Sequence, residues 1–207
     1  MSRLFLVRHG ITEPNSTRRF TGHSDVDLNV EGYSQVEKLR DRLANEEIYA
    51  AYSSDLKRAL VTAKSIVSGH ELEVVSCPDL RELNYGDAEG LTYKEIAGRY
   101  PELGRLIHEV DPRMNFPGGE RFEDLTTRAG EFLERINGHT EDETILVVTH
   151  GGMLRTLTCL LLRLELSHWS SFRFDNASLT IIDTYPRRAI ISLLNDTSHL
   201  NDTGGMK

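Results

Sequence analysis

The sequence predicts an α/β protein in three layers, α/β/α, with a mostly parallel central sheet of about six strands and helices on both faces. Three observations predict it. Short apolar runs alternate with windows whose apolar residues recur every three or four positions, the pattern of strand–helix units wound around one sheet. Two of those runs end at a histidine followed at once by glycine, His9-Gly10 and His150-Gly151. A chain of 207 residues that is 39% hydrophobic can bury a full core within one domain, so residues 1–207 are read as a single unit with a flexible tail after about residue 199.

Leu4 to Val7 is an unbroken apolar run, as expected of a strand covered on both faces. Arg8 and His9 cannot continue that burial cheaply, so they are placed at the strand's carboxyl edge, where open α/β sheets bind ligands. Ile11 to Asp27 is polar and reads as a long loop. Asn29 caps a helix whose stripe is Tyr33, Val36, Leu39 and Leu43. Ile48 to Tyr52 is a strand, and Ser53-Ser54-Asp55 opens a helix that turns Leu56, Ala59, Leu60, Ala63 and Val67 inward. Leu72 to Val75 is a third strand. Cys77 to Gly90 is turn-rich, and short helical pieces flank Pro101. A helix carries Phe122, Leu125, Ala129, Phe132, Leu133 and Ile136. Thr144 to Thr149 is a strand ending at His150, followed by a helix from Met153 to about Leu164. Ser178 to Thr184 and Ala189 to Leu194 complete the six strands.

A formal net charge of -8 and a pI near 5.5 leave no basic field for nucleic acid or an acidic membrane, so any anion site must be local. Cys77 and Cys159 form neither a disulfide framework nor a zinc motif. The longest apolar candidate for a membrane span, Met153 to Leu166, is broken by Arg155, Arg163 and Glu165. A cytoplasmic protein is expected.

His9 and His150, each at the end of a strand in one parallel sheet, would reach the same edge. Arg58 falls in the first turn of the helix opened by Ser54, beside N–H groups and a dipole that also favour an anion. With Arg8 it can grip one phosphate by forked hydrogen bonds, although a solvated helix arginine is the commoner fate. Asn15, Thr21 and Gly22 offer further donors from the long loop, or serve as turn residues. Glu82 follows the third strand in Arg81-Glu82-Leu83-Asn84-Tyr85-Gly86, and spacing alone favours a surface ion pair with Arg81.

Leu6-Val7-Arg8-His9-Gly10-Ile11-Thr12 through Asn15, Arg19-Phe20-Thr21-Gly22, Ser54-Asp55-Leu56-Lys57-Arg58-Ala59, Glu82 with Gly86 and Glu89-Gly90, Pro117-Gly118-Gly119-Glu120, and Val148-Thr149-His150-Gly151-Gly152 resemble the histidine phosphatase superfamily, also called phosphoglycerate mutase-like. The match runs from about Leu4 to beyond Asp183. The resemblance implies that His9 becomes phosphorylated, that Arg8, Arg58 and His150 hold the phosphoryl oxygens with Asn15, Thr21, Gly22 and Gly151 around them, and that Glu82 is the proton donor. It implies a metal-independent phosphatase without cofactor that acts on small phosphate monoesters, α-ribazole phosphate among them, and it leaves a homodimer open. The family often has glutamate and tryptophan where this chain has Ile11 and Pro14, which bears on substrate preference, not on the chemistry.

A rival within the family is a cofactor-dependent phosphoglycerate mutase. True mutases carry a long basic insertion before the Gly-Gly-Glu motif; here Gly90 to Pro117 is short. A rival from another class, a non-catalytic phosphate-binding module, is disfavoured by the presence of His9, Glu82 and His150 together. Asp25-Val26-Asp27 lacks the buried strand that haloacid-dehalogenase aspartates need, and neither cysteine has an arginine six positions on. His139 with Glu141, Asp142 and Glu143 lacks a second histidine at metal-ligand spacing. Substrate choice is expected from Asn84, Tyr85 and the segment 108–116, read as a lid.

Overall fold

A computed structural model of the chain describes residues 2–111, 113–139 and 143–201. Strand β1 (Ser2–Arg8) divides its side chains between the two faces of the sheet: Leu4 and Leu6 join one apolar cluster, Phe5 and Val7 the other. Four further strands run with or beside it, β2 (Ala50–Ser53), β3 (Val74–Ser76), β4 (Thr144–Thr149) and β5 (Leu179–Tyr185), and β6 (Arg188–Asp196) forms one edge. The order is β3-β2-β4-β1-β5-β6, with only β5 running against its neighbours. Helices α2 (Val30–Leu43) and α3 (Lys57–Val67) cover the Phe5 face, while α6 (Phe122–Ile136) and α7 (Gly151–Leu161) cover the Leu4 face. The pair α4 (Tyr93–Arg99) and α5 (Pro101–Glu109) adds Ile96 and Leu103 to that second cluster. The expected three-layer, mostly parallel α/β architecture is therefore present.

Register is what positions the site. Arg8 lies opposite Thr149, and Ser53 opposite Val148. The residues that leave these three strands, His9, Ser54 and His150, thus emerge together at the carboxyl edge.

Several expectations needed adjustment. The loop from Ile11 to Asp27 contains a helical turn, α1 (Glu13–Ser16), because Thr12 and Asn15 cap each other and Pro14 sits in the first turn. Tyr33 is exposed and donates its hydroxyl to Asp27; Gly32 takes the inward place. Helix α3 starts at Lys57, later than Ser54, since Ser54 turns its hydroxyl to His150. Of the tail expected to be flexible after about residue 199, only residues 200 and 201 are described: Leu200 lends its carbonyl to Lys38, and just before it His199 bonds the Ala177 carbonyl. Residues 202–207 lie outside the described residues, as do 141 and 142 of the acidic group beside His139. His139 itself bridges Tyr52 and Glu143.

Gly32 lets α2 pass unusually close to the chain leaving β1. A Cβ there would stand 2.1 Å from the Ile11 carbonyl oxygen, and one on Gly10 would stand 2.8 Å from the Gly32 oxygen. Backbone cannot yield cheaply at such distances. Gly32→Ala is expected to destabilise the protein by roughly 1–3 kcal/mol in urea unfolding, the usual range for overpacking. Gly98→Ala, in exposed α4 with open space around it, is expected to stabilise by about 0.5–1 kcal/mol.

Candidate active site

His9 and His150 are both buried, with ring centroids 5.1 Å apart. Their hydrogen bonds assign opposite tautomers. His9 Nδ1 lies 2.7 Å from the Gly10 carbonyl oxygen, which can only accept, so Nδ1 carries the proton and Nε2 keeps its lone pair. Arg58 Nε lies 3.2 Å from His150 Nδ1 and can only donate, so the His150 proton is on Nε2, which donates to Ser54 Oγ at 2.9 Å. Burial first, then the Arg58 and Arg8 charges, holds His9 well below the usual imidazole range. The same forces, with His9 itself, depress His150.

Arg8 spends Nη1 on the Phe174 carbonyl at 2.7 Å, while its buried Nε has no partner among the described residues. An unsatisfied buried guanidinium N–H at the sheet's carboxyl edge is a place for an acceptor oxygen. The amide of Gly151, first in α7, is next to it: the Arg8 guanidinium carbon stands 3.6 Å from where a Gly151 Cβ would be. Among the described residues Arg58 is the largest fully buried side chain. Its Nη1 donates to the Ser24 carbonyl at 2.8 Å and its Nη2 to the Gly22 carbonyl at 2.7 Å. Burial pulls both guanidiniums below their ordinary values, and the Glu82 carboxylate opposes this most in each case.

Glu82 forms no surface pair with Arg81, which instead grips Asp55. Its buried carboxylate accepts from the amides of Leu83 at 3.0 Å and Gly152 at 2.9 Å. The second contact depends on glycine, because a Cβ at position 152 would stand 2.3 Å from Glu82 Oε1. Arg128 holds the backbone beneath Glu82 through the carbonyls of Asp79, Arg81 and Glu82, and is itself paired with Glu120. The Gly-Gly-Glu motif is thereby explained: Glu120 also accepts from the Asn84 amide. Glu89 plays the matching part for the loop, accepting from the amides of Gly22, His23 and Tyr85.

The structure brings Arg8, His9, Arg58, Glu82, His150 and Gly151 to one edge. Asn15 is close by: its Oδ1 accepts from Thr12 and from Asn176, whose amide also holds the His9 carbonyl. Thr21 and Gly22 depart from the expectation. The Thr21 hydroxyl turns to the Arg19 carbonyl and the Gly22 amide to Glu89, so both residues face Arg58 as acceptors, not an anion as donors. Gly22 is demanded by packing, a Cβ there meeting the Leu83 oxygen at 2.1 Å. The expected lid also differs. Met114 and Phe116 are buried, Phe116 backing the Tyr85 ring at 4.9 Å, and Pro112 lies outside the described residues. Sequence reasoning missed Ser54 as a partner of His150, and missed Asn176 and Arg128; nothing in their local pattern marks them.

The family model described as "Histidine phosphatase superfamily (branch 1)" matches residues 4–197. Phosphoserine phosphatase 1 of Hydrogenobacter thermophilus is 36% identical over 98% of this chain and 96% of its own length. A metal-independent phosphoserine phosphatase of Arabidopsis thaliana is 37% identical over 99% of this chain and 85% of its own. Among solved structures, the α-ribazole phosphatase from Shigella flexneri superimposes with a TM-score of 0.87 at 27% identity, covering 94% of this chain and 96% of that one. No helix among the described residues is long and apolar enough to cross a membrane. The chain belongs to the histidine phosphatase superfamily and is a phosphoric monoester hydrolase.

Proposed function

We propose that the chain hydrolyses small-molecule phosphate monoesters through a phosphohistidine at His9, without a metal. The observation that carries this reading is the tautomer of His9: its Nε2 lone pair is free, and the imidazole is held uncharged by burial and by the Arg58 and Arg8 charges, Arg8 itself keeping an unsatisfied Nε. In the first half-reaction Nε2 attacks phosphorus, the bond from phosphorus to the ester oxygen breaks, and Glu82 gives its proton to the departing alkoxide. In the second, water attacks the phosphohistidine while the Glu82 carboxylate takes its proton, releasing inorganic phosphate and the free imidazole.

Charge that builds on the equatorial oxygens meets Arg8, the Gly151 amide and the Asn15 amide group, with Arg58 and His150 behind them. Arg58 gives Nε to His150 and at least one N–H of each terminal nitrogen to a loop carbonyl, so its full charge, more than its free donors, serves the phosphoryl group. His150 would swing its Nε2–H from Ser54 to a bound oxygen. A mutase reading gains nothing from the short segment 93–109, which folds as the helical pair α4 and α5. The buried, unpaired cysteines 77 and 159 fit a reducing, cytoplasmic setting. Within the monoester class, α-ribazole phosphate and phosphoserine are the esters to compare first, in parallel assays.

His9→Ala is expected to abolish both turnover and the acid-labile phosphoenzyme, read by acid-quenched labelling with and without EDTA; near-normal activity would end the mechanism. Glu82→Gln is expected to lower kcat/KM by roughly 10²- to 10⁴-fold for alkyl esters and far less for p-nitrophenyl phosphate, whose leaving group needs no proton. Equal loss on both would reduce Glu82 to a positioning role. Stability has its own pH signature. Because His9 and His150 stay neutral when buried, the unfolded chain binds protons below about pH 6.5 that the folded chain refuses. Stability is therefore complete above that pH and lost as pH falls, by about 1.4 kcal/mol per pH unit for each such imidazole, with His150→Gln reducing the slope in urea titrations.

A further inference from the structure

Arg155 interrupts the apolar face of α7, and the mechanism above does not use it. It is half-buried, and its neighbours fix it in one pose. Nε donates to the Phe172 carbonyl at 2.9 Å, and the guanidinium carbon lies 4.6 Å above the Trp169 ring. That indole is itself locked, its N–H shared between the Gly152 carbonyl at 3.2 Å and Thr156 Oγ1 at 3.1 Å. Neither terminal nitrogen of Arg155 has a hydrogen-bond partner among the described residues. Its position on α7 is one turn beyond Gly151, where an added Cβ would stand 3.6 Å from the Arg8 guanidinium.

Arg8 and Arg155 are held by the same stretch of chain. Phe174 supplies the carbonyl for Arg8 and Phe172 the carbonyl for Arg155. Residue 172 is extended, with φ -106° and ψ 136°. The two guanidinium groups are tied to one short segment and lie near enough that the Arg155 charge acts on Arg8 and both charges act on the Tyr85 phenol. Like charges held this close favour a ligand that brings two negative groups of its own.

We propose that Arg155 is a specificity-determining residue that binds a carboxylate of the substrate while Arg8 takes the phosphate, so that the preferred esters are phosphorylated hydroxy or amino acids. This rests on the phosphatase reading above. The stacked, pre-oriented guanidinium would accept the carboxylate by both terminal nitrogens at little ordering cost.

The test compares O-phosphoserine with O-phosphoethanolamine, which lacks only the carboxylate, in wild type, Arg155→Gln and Arg155→Lys. Wild type is expected to prefer phosphoserine in kcat/KM. Arg155→Gln is expected to lower the ratio of the two kcat/KM values on the order of 10- to 100-fold, and Arg155→Lys, which keeps charge but loses the fork, to lie between. Should the glutamine variant fail to fold, judged by its thermal transition and Trp169 fluorescence, the lysine variant alone reads the ratio. An unchanged ratio, or a wild type without the preference, overturns the proposal. Equal loss on both esters overturns it too, leaving Arg155 a packing residue beside Trp169. If wild type hydrolyses neither ester nor p-nitrophenyl phosphate, the phosphatase reading fails instead and this inference falls with it.

Discussion

Arg58 is the interaction on which the site depends. A guanidinium only 1% exposed must find acceptors for its N–H groups or impose the cost of an unpaired buried charge. It finds them in the carbonyls of Thr21, Gly22 and Ser24 and in the Nδ1 of His150. One side chain thereby folds the long loop over the sheet edge, selects the tautomer of His150, and adds the positive field that keeps His9 neutral. Its main-chain carbonyl receives the Thr62 hydroxyl, whose oxygen accepts the Gly10 amide, tying the same helix turn to the strand that leads into His9.

A second layer holds the carboxylate in register with the imidazoles. Glu82 lies in irregular chain, where backbone alone would leave it mobile. Arg128 and Glu120 hold the backbone on either side of it, and Gly152 admits its carboxylate against the first turn of α7. The placing of the Glu82 carboxylate is thus a product of backbone contacts backed by the part-buried Arg128–Glu120 ion pair, which specifies position even where it adds little net stability. Arg155 belongs to the same construction from the other side, through α7 and the segment at 172–174 that also fixes Arg8.

Membership of the family and the shape of the site meet at one point, a buried neutral imidazole with one nitrogen free, beside an arginine whose Nε is unsatisfied. A phosphoryl group needs little covalent help from a protein and much electrostatic preorganisation. The donors here are in place before any ligand arrives, since they are backbone amides at a helix start and side chains pinned by other bonds.

By itself the sequence determined the layers, the six strands and the chemical inventory, because apolar periodicity encodes which face is buried and because a cation and an imidazole at the end of an apolar run must lie at the sheet's edge. Arg8, His9, Arg58, Glu82 and His150 were all legible in that way or through the family's motifs. Only the tertiary structure decided what each one touches. Ser54 looked like a helix cap and became the partner of His150; Thr21 and Gly22 looked like donors and became acceptors; Glu82 looked like the mate of Arg81 and bonded to Gly152 instead. The reason is physical: these contacts join residues 36 to 96 positions apart, and they exist because strand register sets Arg8 beside Thr149 and Ser53 beside Val148. Local pattern carries burial, whereas hydrogen-bond partnership is fixed only when the sheet is assembled.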